Sequence, residues 1–136
     1  AGVMDFAIRL VKDNPETLVR IFNRLLESVD YEAYSIEDAK SVLAVIQVAM
    51  INVRLSPVIK VIAKGESVLE VQAGERTIVL TLEYCHPDQE AEQLLQVAVG
   101  QLEELTAGMP SRRNEFLRIA IVFSKPDKRI TVWSLA

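Results

Sequence analysis

Apolar residues recur every three or four positions in the first third of the chain, which is the spacing of an amphipathic helix. This pattern predicts helices at residues 4–12, 15–30 and 36–51. Asn14, followed by a proline and an acid, is typical of a helix start, and Ser35 with Asp38 resembles a capping box for the third helix. The second half of that helix is apolar nearly all round, which predicts that it packs between other elements.

Beyond Pro57 the pattern changes to short runs rich in β-branched residues, which are typical of strands. Strands are predicted at residues 58–63, 67–72, 77–84, 116–123 and 129–135. A further helix is predicted to open at His86, to run to Leu105 and to be closed by Gly108 and Pro110. After the short first helix the order is α-α-β-β-β-α-β-β. It predicts an α/β domain with a mixed central sheet, flanked by helices, one of which crosses between strands.

Composition and charge narrow the class of protein. The chain has 136 residues, 50% apolar and 25% charged, which predicts a single domain over residues 1–136. The sequence leaves open whether this domain is part of a longer multidomain protein. A net charge of −4 argues against nucleic acid as the partner. One cysteine favours a reducing, cytoplasmic compartment, and no apolar run approaches the roughly 20 residues that cross a membrane.

The stretch GESVLEVQAGERTIVLTLEYC, residues 65–85, and the helix after it resemble a PD-(D/E)XK nuclease-like domain, of the kind found at the C-terminus of bacterial AAA-ATPase-like proteins. In that family a Gly-x-x-Asp segment starts one strand, the next strand carries Glu-apolar-Lys, and a later helix contains a glutamine. When this family pattern is aligned with the chain without a gap, its glycine corresponds to Gly65 and its glutamine to Gln101. The family's catalytic aspartate, glutamate and lysine fall on Val68, Thr81 and Glu83. The resemblance implies a restriction-endonuclease-like core with a closing hairpin that ends near Trp133.

The three replacements remove the chemistry of the family. Its reaction needs two carboxylates to hold Mg²⁺ against the scissile phosphate, and a lysine to stabilise the attacking hydroxide. Valine does not ligate a metal, a threonine hydroxyl is a weak ligand, and Glu83 places a negative charge where a cation belongs. The resemblance therefore predicts no catalytic residue, no metal and no cofactor.

The resemblance therefore predicts an inactive pseudo-nuclease that is retained as a protein-interaction or scaffolding module. Its predicted partner is another protein or the neighbouring domains of a longer chain, and no membrane is involved. Pseudo-nuclease domains of this resemblance occur in multidomain proteins of intracellular bacteria, including cytoplasmic-incompatibility factors. That resemblance leaves delivery into a host cell, as an effector or toxin component, open.

Two alternatives from other functional classes remain open. The first is a metal-dependent nuclease whose carboxylates have moved to Glu66, Glu70 and Glu83. The second is a non-catalytic nucleic-acid binder that uses the basic residues of the last quarter: Arg112, Arg113, Arg118, Lys125, Lys128 and Arg129. Residues 66–104 contain nine acids and one arginine, a balance that repels a phosphate backbone.

Two further pairs of residues are candidates for a functional role. Cys85 and His86 are adjacent, and because neighbours in an extended segment point to opposite sides, they predict a strand-closing residue and a helix cap rather than a nucleophilic pair. One cysteine and one histidine do not make a zinc-ligand set. Tyr31 and Tyr34 are predicted either to pack under a loop or to mark an exposed contact surface.

Overall fold

The computed structural model describes residues 3–61, 67–107 and 116–136. Along these residues the elements are α1 (Val3–Lys12), α2 (Pro15–Glu27), α3 (Ala39–Asn52), β1 (Val58–Val61), β2 (Ser67–Ala73), β3 (Arg76–Cys85), α4 (Ala91–Thr106), β4 (Phe116–Ser124) and β5 (Arg129–Leu135). The predicted α/β class, with a mixed sheet flanked by helices, is confirmed. The short first helix is also present and stands before the other elements.

The five strands lie side by side in the order in which they occur in the chain. β1 pairs with β2, β2 with β3 and β4 with β5 in antiparallel fashion, whereas β3 and β4 run parallel. A parallel pair cannot be joined by a tight turn, and α4 supplies the crossover. The β4–β5 register shifts between Val122 and Phe123, which marks a bulge.

Both faces of the sheet are buried, because side chains alternate along each strand and helices cover the two sides. The cluster on one face includes core residues of α1, α2 and α3, such as Leu10, Phe22 and Ile46. The cluster on the other face joins the sheet to α4 through Val68, Val79, Ala120, Val122, Leu95, Ala98 and Leu102. β3 and β4 are therefore apolar along most of their length, as expected of strands buried on both sides.

The helix α2 is shorter than the sequence predicts. It ends at Glu27 rather than near residue 30, and the Ser28 hydroxyl and backbone N–H both donate to the Leu25 carbonyl. Asp30 then accepts from the backbone N–H of Glu32 at 3.1 Å, a local bond that competes with continuation of the helix. The chain is thereby turned away from α2 before α3 begins.

The helix α3 begins at Ala39, and its N-cap is Asp38 rather than Ser35. The Asp38 carboxylate accepts from the Ser41 backbone N–H at 2.8 Å and from the Ser41 hydroxyl at 2.6 Å. The predicted capping box is therefore wrong by three residues, because Asp38 with Ser41 already satisfies the first turn.

The helix α4 begins at Ala91, five residues after the predicted start. His86 does not cap it, because the His86 and Gln89 backbones form a turn in which the Gln89 N–H donates to the His86 carbonyl at 3.0 Å. The imidazole instead lies edge-on to the Tyr84 ring, with 5.0 Å between centroids. Gly108 and Pro110, predicted to close the helix, lie outside the described residues, as do residues 62–63 of the first predicted strand.

One buried polar side chain ties α2 to the last strand. Asn23 is 6% exposed, and its amide Nδ2 donates to the Ile130 carbonyl at 3.1 Å. Its Oδ1 accepts from the Ile130 backbone N–H at 2.7 Å. Both backbone groups of Ile130, which lies next to the bulge, are thus satisfied by one side chain.

Replacing this amide should destabilise the domain. Asn23→Ala is expected to lower the free energy of unfolding by about 2–3 kcal/mol, since it removes two hydrogen bonds and leaves a buried N–H and C=O without their partner. Urea denaturation followed by circular dichroism measures the change. Asn52→Ala, at an exposed position at the end of α3, is the matched control and should change stability by less than about 0.5 kcal/mol. Equal midpoints for the two variants would contradict the assigned role.

The cap of α3 should make stability depend on pH. Hydrogen bonds from the Ser41 hydroxyl and backbone N–H lower the pKa of Asp38. A lowered folded-state pKa means that the stabilisation is present above the unfolded value of about 3.9, and is lost as the pH falls through the folded value.

Asp38→Ala is therefore expected to cost about 1 kcal/mol at neutral pH, and less once wild-type Asp38 is protonated at low pH. Urea midpoints measured from neutral pH down through this range give the difference. Asp38→Asn keeps the acceptor and should retain most of the stability, with no titration at this position. A difference between wild type and Asp38→Ala that stays constant down to the lowest pH at which the domain folds would count against the cap.

Candidate functional site

Of the five positions that carry the family resemblance, Gly65 lies outside the described residues, and the other four lie together on the sheet face covered by α4. Val68 in β2 is directly opposite Thr81 in β3. Glu83 is two residues further along β3, and its side chain therefore projects from the same face as that of Thr81. Gln101 of α4 donates from Nε2 to Glu83 Oε1 at 3.3 Å. Residues far apart in the sequence are thus brought to one place by the hairpin and the crossover helix.

Two of these positions are buried against α4 and are therefore not accessible to solvent. Val68 and Thr81 are each 1% exposed. Val68 belongs to the apolar cluster that contains Leu95, Ala98 and Leu102 of α4. The Thr81 hydroxyl donates to the Ala98 carbonyl at 3.3 Å, so that this buried donor has a partner. The space between the strands and α4 is occupied by side chains at these two positions.

Glu83 is a charged group at this place, and it is partly buried and bonded to α4. Among the described residues of the candidate site, Glu83, Thr81 and Gln101 bring together a carboxylate, a buried hydroxyl and an amide. Mg²⁺ sites that cleave phosphodiesters use carboxylates as ligands, usually more than one. In the described part of the chain, no three His, Cys, Asp or Glu residues are grouped so that they could hold a metal ion.

The carboxylates proposed for a relocated site are not brought together where the structure describes them. Glu70 lies opposite Val79, four residues before Glu83 on β3. At about 3.3 Å per residue, Glu70 and Glu83 are separated by roughly 13 Å along the sheet, which is too far for one metal ion. Glu70 Oε2 instead pairs with Lys60 Nζ at 2.9 Å. Glu66 lies outside the described residues.

Of the described basic residues of the last quarter, Lys125, Lys128 and Arg129 lie in or next to the turn between β4 and β5, and Arg118 lies apart from them. Arg118 lies on the α4 face of the sheet, and its Nη1 donates to Thr106 Oγ1 at 3.0 Å. Lys125 follows seven residues later, roughly 20 Å along the strand direction. Arg112 and Arg113 lie outside the described residues. The described members therefore do not form one continuous patch.

The two tyrosines have different environments. Tyr34 is 66% exposed, and its predicted role in a contact surface remains a prediction. The hydroxyl of Tyr31 donates to the Leu26 carbonyl at 2.7 Å, so Tyr31 packs under the loop. Lys128 Nζ lies 4.9 Å from the centroid of the Tyr31 ring, a cation–π contact, while Arg129 is exposed beside it in the chain.

A groove next to Tyr34 was not predicted from the sequence. It lies between α3 and the loop at residues 28–36, has a volume of about 630 Å³ and is called the α3 groove below. Its apolar lining consists of Val29, Ile36, Ala44, Val45 and Val48. The sequence signal was present, because α3 is apolar nearly all round, but the pattern does not tell which side the sheet leaves uncovered.

Cys85 and His86 do not form a nucleophilic pair. The Cys85 thiol is 6% exposed, and burial, followed by the nearby Asp88 carboxylate, raises its pKa. A raised pKa opposes formation of the reactive thiolate. Cys85 Sγ lies 3.5 Å from the carbonyls of His86 and Gln89, as expected of a protonated thiol that donates locally.

Comparison of the chain with protein-family models, with curated proteins and with solved structures finds no match. Within the described residues, no helix is both long and apolar enough to cross a membrane. The interpretation of the candidate site therefore depends on the residues of this chain and on their geometry.

The closed packing at Thr81 can be tested by introducing an acid at this position. Thr81→Glu buries a carboxylate without a partner and is expected to lower the free energy of unfolding by about 3 kcal/mol or more. Thr81→Val, of nearly the same volume, is the matched control and should change stability by less than about 1.5 kcal/mol. Urea denaturation compares the two variants. A Thr81→Glu protein as stable as wild type would indicate an open, solvated site.

Proposed function

We propose that the chain is a pseudo-nuclease, a PD-(D/E)XK-like domain without catalytic activity that serves as a protein-interaction or scaffolding module. The observation that carries this proposal is the burial of Val68 and Thr81 under α4, at the positions where the resemblance places two catalytic carboxylates. The order of hairpin, crossover helix and parallel strand, with Gln101 beside Glu83, supports the same placement.

The chemistry at these positions supports the proposal of an inactive domain. A phosphodiester must reach a metal ion and an activated water, and here valine methyl groups and α4 fill that position. The Thr81 hydroxyl is already bonded to Ala98, and Glu83 adds a negative charge that repels phosphate. Each of the three replacements alone removes a group on which metal-assisted hydrolysis depends.

The partner that suits this domain is a protein, or neighbouring domains of a longer chain. Net charge is −4, so the surface as a whole repels polyanions. The exposed Tyr34 and the apolar α3 groove offer a contact surface on the side of the sheet away from α4. A reducing, cytoplasmic setting fits the single buried cysteine. A bacterial, AAA-ATPase-associated or host-directed context follows from the resemblance alone.

Calorimetric titration with Mg²⁺ and Mn²⁺, beside cleavage assays on single- and double-stranded DNA and RNA, tests the proposal. The expected result is no stoichiometric metal binding at millimolar concentration, and no cleavage above that of a Glu83→Ala control. Retention on nucleic acid is also expected to be absent at low salt, where electrostatic binding is strongest.

Two outcomes would overturn the proposal, and each assigns a different function. Metal-dependent cleavage that is lost in Glu83→Ala would identify a nuclease with a rebuilt site. Salt-sensitive retention that is lost when Lys128 and Arg129 are both replaced by glutamine would identify a nucleic-acid binder. Glu103→Gln, at an exposed position of α4, is the control for the loss of one charge away from these residues.

A further inference from the structure

The floor of the α3 groove is made largely by one exposed helix face. Ala44 and Val48 line the groove at a spacing of four residues, and Ile51, outside the groove lining, continues the same stripe along α3. Val48 is 54% and Ile51 52% exposed. An exposed apolar stripe beside a concave apolar groove is typical of a surface that another protein covers.

The segment that forms one wall of the α3 groove is acidic, and it is called the rim below. Residues 27–38 contain five acids and no basic residue, and all five are exposed: Glu27, Asp30, Glu32, Glu37 and Asp38. Of these, Asp30 lines the groove itself, and the others flank it in the sequence. Three lysines lie close by: Lys40 in the first turn of α3, and Lys125 and Lys128, which line a neighbouring pocket with Glu37. The acids outnumber these lysines, so the rim attracts a positively charged partner.

We infer that the α3 groove binds the apolar face of an amphipathic, basic helix of a partner protein. This inference rests on the proposed function and deepens it, because it names the contact surface and the chemistry of the partner. A helix laid on a stripe of small and branched side chains packs at about 8–10 Å between axes, and Ala44 allows close approach. Leucine-sized side chains on its apolar face enter the groove, while its lysines or arginines face the acidic rim.

A second copy of this chain is a poorer occupant than a basic helix. In a two-fold symmetric contact the same surface faces itself, so one acidic rim would lie against the other and repel it. A nucleic acid is disfavoured by the same charge, because its phosphates would meet the carboxylates of the rim. A basic amphipathic helix matches both the floor and the rim.

The test uses a fluorescent peptide of about 18 residues, or five helical turns, as the probe. Leucine stands at every third or fourth position of this peptide, and lysine and alanine fill the others. Two comparison peptides carry glutamate in place of lysine, or the same composition in scrambled order. Fluorescence anisotropy with the full chain is expected to give a Kd on the order of 10 µM for the basic amphipathic peptide. The binding of both comparison peptides should be at least about 10-fold weaker.

Two kinds of variant assign the binding to the α3 groove. Val48→Asp should weaken binding about 10-fold, whereas Val97→Asp, at a valine of similar exposure (49%) on α4, should leave it unchanged. The double variant Glu32→Lys with Glu37→Lys should exchange the preference, so that the glutamate peptide binds more tightly than the lysine peptide. Circular dichroism of each variant shows that it is folded.

Three results would overturn the inference. They are equal binding to Val48→Asp and Val97→Asp, equal binding of the lysine and glutamate peptides, and sedimentation that shows a dimer lost in Val48→Asp. The last result would assign the groove to a second copy of the chain. Metal-dependent cleavage of nucleic acid would overturn the proposed function whatever the peptides do. A failed peptide test without cleavage would remove only this surface and this partner chemistry.

Discussion

The parallel pairing of β3 with β4 is the constraint on which the rest of the structure depends. Thr77–Cys85 run alongside Phe116–Ser124 at the centre of the region that the structure describes. Parallel neighbours require a crossover, and a helical crossover must lie on one face of the sheet. Here that crossover is α4, which contacts β3, β4 and β5. The face that α4 covers is the one on which Val68 and Thr81 lie, so the topology and the candidate site are linked.

The side chains present at the candidate site stabilise the domain. Two carboxylates under α4 would need a metal ion or hydrogen-bonding partners, because burying a bare charge is costly. Val68 instead belongs to the apolar core, and the Thr81 hydroxyl donates to the Ala98 carbonyl. Uncharged, packed side chains at these positions are therefore the arrangement of lower free energy. The opposite face of the sheet is closed by three helices, and Asn23 fixes α2 to the last strand.

Much of the fold was predictable, because helices and strands have different periods and the turns contain their usual residues. The errors concern choices that depend on the surroundings. Ser35 and Asp38 both have capping side chains, and the partner at Ser41 decides between them. Strand parity placed Glu70 on the same face as Val68. Only the register, set by the two-residue turn after Ala73, separates Glu70 from Glu83. The resemblance named Glu83 and Gln101 separately, and no local pattern predicts the contact between them across 18 residues.

The charge of the chain has a different effect on each side of the sheet. On the α4 side, Glu83 is partly buried beside packed apolar groups, so its carboxylate disfavours phosphate at this place. On the α3 side, the acids of residues 27–38 surround an apolar groove. Negative charge around an apolar floor is selective, because it admits cationic amphipathic partners and repels both nucleic acid and a second copy. The acidic residues therefore also set the chemistry of the partner in the contact that we infer for the α3 groove.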